Sequence, residues 1–317
     1  MKKTILKERS SLLAYAENKK TFLIYRDIPI YFLILPSFIL ILIFSYIPMY
    51  GAVIAFKDFS PGLGILKSKW VGLEHFSTFI NDPYFWTVVK NTLKINILSL
   101  IFGFPAPIIL ALLLNEMGCV KFKKIVQTVT YLPYFISWVV VASIIYTITS
   151  PESGLINVVI THLGYEPIYF MGEVKYFVPI VIISGIWKGV GMNSIYYIAA
   201  ISSIDQQLYE AACLEGCGRI RQTIHITLPG LRNIISVMLV LQLGSLASIG
   251  FDNIFLLQNS LIYRASDVIS TYTYRLGLVD MEYSITTAIG LVQSIINFIM
   301  IITSNKLVAK ISGWSLW

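Results

Sequence analysis

From Ile28 to Tyr50 the chain runs without a single charged side chain. A helix rises 1.5 Å per residue, and the hydrocarbon of a bilayer is about 30 Å thick, so a stretch of this length is built to cross it. Five more long apolar stretches follow. With 56% of its 317 residues hydrophobic and 13% charged, the chain carries far less charge than the roughly 25% of an ordinary soluble domain. A soluble fold of this size could not hide so much apolar surface. Disorder is excluded as well, because 14% of the residues are aromatic. The sequence therefore predicts an all-α integral membrane protein, since a lone strand would leave backbone groups unpaired in lipid.

The second span is expected from Phe85 to Leu114, with Lys90 and Lys94 near its start, and the third from Ile125 to Thr149. The fourth, Val174 to Ala200, contains Lys188; the fifth, Asn233 to Leu257, contains Asp252; the sixth runs from Ser284 to Asn305. The basic leader from Lys2 to Arg26 precedes an apolar stretch too long for a signal peptide and lacking a small-x-small cleavage site, which makes the first span a retained anchor. With the N-terminus inside, the cytoplasmic pieces hold fifteen Lys and Arg against six outside, which places both termini in the cytoplasm. The net charge of +7 thus reports topology and gives no reason to expect nucleic acid. Four regions follow: a cytoplasmic segment 1–27 with amphipathic character, the first helix and outer loop 28–84, a core 85–305 and a cytoplasmic tail 306–317. Pro105 and Pro107 are expected to interrupt the second span and Pro179 to bend the fourth.

Between spans four and five lies a polar inner loop, residues 201–231, too polar to cross the membrane. Asp205 suits an N-cap, Tyr209 to Leu214 favour helix, and Gly216 and Gly218 permit a sharp turn before a second piece ending at Leu228-Pro229. This is a helical lever outside the bilayer. Cys213 and Cys217 lack the further ligands that structural zinc wants, and no metal is expected. No G-x(4)-G-K-[ST] phosphate loop occurs, no H-E-x-x-H occurs, and His75, His162 and His225 lie in separate loops. The chain is expected to be no enzyme.

Glu210-Ala211-Ala212, then Gly216, then Ile226-Thr227-Leu228-Pro229 reproduces E-A-A-x(3)-G, then nine intervening residues, then I-x-L-P. In this spaced pattern the chain resembles the permeases of binding-protein-dependent ABC importers. Asn91-Thr92 resembles the start of that family's transmembrane module. The stretches Tyr46 to Phe59, Trp70 to Phe76, Phe251 to Asn259 and Ser315-Leu316-Trp317 resemble its polysaccharide and complex-oligosaccharide branch, related to the larger maltose-importer membrane subunit. The resemblance implies a six-helix type I ABC importer permease in the bacterial cell membrane, importing oligosaccharides or polysaccharide fragments by alternating access. It implies a cytoplasmic ABC ATPase dimer, a second permease subunit and an extracellular or periplasmic sugar-binding protein as partners, with ATP and Mg on the ATPase chains and no cofactor on this one. It assigns ATPase coupling to Glu210, Ala211, Ala212, Gly216, Leu228 and Pro229.

Polar groups inside spans are costly and usually face the bundle interior or water. The candidates for a sugar pathway on this ground are Asn96, Trp187, Lys188, Asn193, Gln242, Asp252, Asn253, Gln293 and Asn297. The resemblance to the maltose-importer subunit implies sugar contacts on the helices flanking the inner loop, from Trp187 to Met192, which adds Gly189 and Met192, and from Gln242 to Asn253. The competing role for the amides is to hold helices together. For Lys188 the alternatives are a pathway charge and an ion pair. The outer loop 51–84 suits either a binding-protein contact or an interfacial aromatic belt. Permeation of a different small solute and ion-coupled carriage are the competing functions; Asp252 and Lys188 are the intramembrane groups that could serve the latter.

Overall fold

The computed structural model describes residues 30–313; the basic leader 1–27 and the Ser315–Trp317 stretch lie outside the described residues. The first helix, α1 (Ile30–Phe56), is apolar and exposed along most of its length, as a lipid-facing helix should be. It tightens into a 3-10 turn from Tyr50 and buries Ala55 at its end. A short hairpin follows, in which β1 (Lys57–Asp58) pairs antiparallel with β2 (Lys69–Trp70), and then α2 (Glu74–Ile80).

The second span is α3 (Pro83–Glu116). Asp82 caps it, its carboxylate accepting from the Tyr84 amide at 2.9 Å, and Pro83 occupies the first helical position, where no donor is needed. The interruption expected at Pro105 and Pro107 is confined to a change in bonding. Phe104 keeps helical angles and donates to the Leu100 carbonyl at 3.3 Å, so the span passes through as one helix.

The third span departs from expectation. It is not one helix from Ile125 to Thr149 but two, α4 (Val120–Phe135) and α5 (Trp138–Thr149), bent by 103°. Pro133 starts a 3-10 turn at Leu132–Phe135, and Ile136 then leaves the helix in extended conformation. Ser137 caps α5 by accepting from the Val140 amide. Beyond α6 (Leu155–His162), the fourth span α7 (Val174–Ser202) runs unbroken through the middle of the bundle, with Pro179 inside its first turns. Gly191 lets it approach the α4 backbone, where an added Cβ would stand 2.1 Å from the Thr130 carbonyl oxygen.

The inner loop forms α8 (Gln206–Leu214) and α9 (Arg219–Gly230), and α9 meets α10 (Arg232–Gly244) at a 59° bend. The fifth span is also corrected. Its helix stops at Gly244 rather than Leu257, residues 245–250 are irregular, and a short helix α11 (Phe251–Phe255) resumes the path. Two amides serve the freed backbone, and a third, from Asn297, bonds a side chain of the same stretch. Asn96 donates to the Leu246 and Ser248 carbonyls at 2.7 and 3.1 Å, Gln293 to the Ala247 carbonyl at 2.6 Å, and Asn297 to the Ser248 hydroxyl at 2.8 Å. Irregular backbone at membrane depth persists only where protein satisfies it in this way.

After α12 (Tyr263–Ser266) and α13 (Ile269–Tyr274), the sixth span α14 (Tyr283–Ser312) extends past the expected Asn305. Among the described residues, four continuous helices and two bent pairs give up to six crossings, in accord with the six expected. Ile95, Val141, Phe177, Val181, Ile254 and Leu257 form a core around the first half of α7, while Ala111, Tyr197, Ile201 and Leu231 pack around its other end.

At the end opposite the inner loop, Asp267 is almost wholly buried. It accepts from Arg275 at 2.6 Å, from the Tyr84 hydroxyl at 2.6 Å and from Thr271 at 2.7 Å. Asn91 and Thr92 bond the same segment through the Asp267 carbonyl and the Ile269 amide. Burial, together with the Asp82 carboxylate that its hydroxyl contacts, pushes the Tyr272 phenol up to about 12.

Candidate functional site: a cleft and a polar elbow

The elbow is built as its residues dictate. Asp205 accepts from the Gln207 amide at 2.9 Å and starts α8. The helix closes with the Cys217 amide donating to the Ala212 carbonyl at 2.9 Å and the Gly216 amide to Cys213 at 3.0 Å. That paired closure requires a left-handed residue, and Gly216 supplies it at φ 74°. Gly218 then opens α9 in extended conformation. The two arms are braced where the Tyr209 hydroxyl meets the Thr227 hydroxyl at 2.8 Å, and Gln222 donates to the Cys217 carbonyl at 2.8 Å. Arg219 ties the elbow to the end of α3, donating to the Glu116 carbonyl at 3.2 Å.

The elbow shows its surroundings the carboxylates of Asp205, Glu210 and Glu215 and the cations Arg219 and Arg221, interspersed with small and apolar groups. Glu210 and Ala211 are exposed, Ala212 is half-buried, and Glu210 makes no ion pair among the described residues. Leu214 is 90% exposed and Ile220 77%, unusual values for apolar side chains beside a polar helix. Leu228 and Pro229 are exposed on the return arm, α9. A surface of this kind suits a protein partner.

The cleft, of about 400 Å³, lies between α3, α7, α10 and the broken stretch of span five. Gly189 and Asn193 of α7, Gln242 of α10 and Asn253 of α11 line it, with Ser99 and Tyr196 adding hydroxyls. The Asn253 carbonyl oxygen is buried without a hydrogen-bond partner among the described residues. A buried unpaired amide oxygen is expensive, and Asn253 keeps this acceptor at the wall of the cleft. Among the described residues, none that lines the cleft is charged.

The remaining pathway candidates lie elsewhere. Trp187 faces a second pocket between α7 and α5, lined by Ile144, Ile148 and Ile183. Lys188 does not line the cleft and makes no ion pair among the described residues. Its ammonium donates to the carbonyls of Pro133 at 3.3 Å, Tyr134 at 2.8 Å and Ile136, and lies 5.6 Å from the rings of Tyr134 and Trp138. It satisfies the carbonyls freed where the third span breaks. Met192 and Asp252 are absent from the cleft lining. Gln293 and Asn297, with Asn96, take the helix-holding role described above.

Sequence reasoning overlooked Ser99, Tyr196 and the aromatic cluster of Phe251, Phe255 and Tyr274, whose ring centroids lie 4.7 to 5.2 Å apart. It also overlooked both breaks. Pro133 signalled the first, and the glycine- and serine-rich run from Gly244 to Gly250 signalled the second.

The family described as binding-protein-dependent transport system inner membrane component matches residues 103–313. The chain is 42% identical over 285 residues to protein LplB of Bacillus subtilis, covering 90% of each chain. It is 43% identical over 281 residues to the polygalacturonan/rhamnogalacturonan transport system permease protein YteP of the same organism, covering 89% of this chain and 88% of the relative. Among solved structures it resembles a chain of a bacterial ABC transporter involved in the import of the acidic polysaccharide alginate. That likeness has a TM-score of 0.84 at 42% identity, over 91% of this chain and 97% of that one. It also resembles a chain of the bacterial alginate ABC transporter in complex with an alginate pentasaccharide-bound periplasmic protein. There the TM-score is 0.85 at 40% identity, over 92% and 98%.

Proposed function

Because the chain belongs to the family of binding-protein-dependent transport system inner membrane components, we propose that its cleft passes an oligosaccharide and its elbow takes the stroke of a separate cytoplasmic ATPase. The protein is a multi-pass permease subunit of an ABC importer in the bacterial cell membrane. It works with a sugar-binding protein outside, a second permease subunit beside it and an ATPase dimer beneath. ATP and Mg stay on the ATPase chains.

One observation carries this reading. The Asn253 carbonyl oxygen, unpartnered among the described residues, belongs to a cleft two of whose walls, α7 and α10, are the helices that lead into the elbow. Amides suit sugar hydroxyls, which both donate and accept. From Asn193 to the end of α7 is nine residues, roughly 14 Å of helix, so a push on the elbow reaches the cleft through one rigid element. Glu210 supplies the charge that a basic residue of the ATPase would meet, Ala211 and Ala212 allow close approach, Gly216 makes the turn, and Leu228-Pro229 root the return arm. The elbow side is cytoplasmic in this reading, supported by the excess of Lys and Arg on the inner pieces.

The test is ATP hydrolysis by the reconstituted importer with its sugar-loaded binding protein. Stimulation by oligosaccharide that disappears with Glu210→Lys supports the reading. Unchanged stimulation and uptake in that variant would overturn it.

A further inference from the structure

Three lysines crowd the foot of the third span. Only Met117, Gly118 and Cys119 separate the end of α3 from α4, and Arg219 of the elbow is bonded to that end of α3. The foot of α4 therefore lies on the elbow side of the bundle. Lys121 and Lys124 are exposed there and Lys123 is half-buried. No acidic residue stands in the first turn, and none of the three lysines makes an ion pair among the described residues. Like charges three or four residues apart on a helix repel. The cluster is relieved by an anion from outside the chain.

Above the lysines the same helix presents an apolar stripe. Phe122, Ile125, Val129 and Leu132 recur at helical spacing, each between 55% and 63% exposed, while Thr130 and Tyr131 meet α7 at Gly191. Lys121 sits one turn before Ile125, and Lys124 shares the Lys121 side of the helix. From Phe122 to Leu132 the stripe is about 15 Å long, half of a hydrocarbon layer of about 30 Å. Its depth is that of one leaflet, and its cations stand only at the headgroup end. In length and in charge it complements a lipid with an anionic headgroup, which lysines beside a membrane attract. A zwitterionic lipid brings its own cation and leaves the repulsion in place. We propose that the foot of α4 binds an anionic phospholipid of the elbow-side leaflet. Lys121 and Lys124 hold the headgroup, and an acyl chain lies along Ile125, Val129 and Leu132. On the reading proposed above, that leaflet is the cytoplasmic one.

The test uses the assembled importer in phosphatidylcholine vesicles, with Cys119, Cys213 and Cys217 replaced by serine and a bimane label on Val129→Cys. Quenching by brominated phosphatidylglycerol should reach half its maximum at a mole fraction at least threefold lower than quenching by brominated phosphatidylcholine. Lys121→Gln with Lys124→Gln should bring the two curves together, and Lys121→Arg with Lys124→Arg should keep them apart. Coincident curves with both lysines present overturn the proposal, as does a preference that survives their loss. A label that neither lipid quenches shows that another subunit covers the stripe, and also overturns it. Quenching reads lipid contact alone, so this result stands or falls apart from the coupling role of the elbow.

Discussion

The ammonium of Lys188 lies 2.8 Å from the carbonyl oxygen of Tyr134, joining the fourth span to the corner of the third. Two other carbonyls at that corner, of Pro133 and Ile136, share the same donor. A charge inside a membrane span therefore has a structural explanation here.

Replacing Lys188 by methionine keeps the length and removes the donor. An orphaned buried carbonyl costs about 1–3 kcal/mol, so the purified importer should unfold several degrees lower. Lys188→Arg should retain most of the stability. An unchanged thermal midpoint for Lys188→Met would show that water replaces the ammonium without loss.

The hydroxyl pair of Tyr209 and Thr227 holds the arms of the elbow together. Tyr209→Phe and Thr227→Val should each lower the coupling of ATP hydrolysis to uptake, and the double variant should be no worse than either. A pair of this kind is worth about 0.5–1.5 kcal/mol. Strictly additive losses would show that the hydroxyls act separately.

Gly216 stands at φ 74°, where a β-branched side chain is strained by about 1–3 kcal/mol. Gly216→Val should misdirect the second arm and abolish uptake with the chain still inserted. Glu210→Lys should do so with no loss of stability, because the native carboxylate makes no ion pair among the described residues. Wild-type uptake by both variants would remove the elbow from the mechanism.

In the cleft, Asn253→Leu separates function from folding. Its amide oxygen is unpartnered among the described residues, so the substitution should leave the thermal midpoint within a degree or two while lowering uptake at least tenfold. Asn193→Ala and Gln242→Ala should lower uptake in the same direction. Uptake at wild-type rate in all three would place the sugar path elsewhere.

Tyr272 gives a pH signature. Its phenol titrates near 12 when folded against 10 ordinarily, so the folded state favours the neutral form. The stability it contributes is fully present below pH 10 and is lost as pH rises towards about 12. Tyr272→Phe should flatten that part of the unfolding profile; an identical profile in the variant would assign the loss to other groups.

Much of this architecture was legible because lipid imposes it. Uncharged runs of about twenty residues have few folded solutions, and the spans at 83–116, 174–202 and 283–312 fall near their expected bounds. The elbow was legible for a local reason, since Asp205 and Gly216 are the residue types that a cap and a left-handed turn demand. The breaks were passed over because apolar length alone spans them, although Pro133 and the glycines and serines of 244–250 mark the places where the backbone leaves the helix. Pathway residues were legible only in part. The amides of Asn193 and Asn297 look alike in sequence, but Asn193 faces a cleft, whereas Asn297 reaches the Ser248 hydroxyl. Which of the two a given amide does depends on helix rotation, and nearly uniform hydrophobicity leaves rotation unmarked.

The two roots of the elbow differ in stiffness. On one side α7 is a straight pushrod from Ser202 up past Asn193, with its proline beyond the cleft. On the other, the knuckle between α9 and α10 turns through 59° at Leu231. On the coupling role proposed above, a displacement applied from below would travel along the first and be taken up as rotation in the second, so the opposite walls of the cleft would shear past each other and not merely rise together.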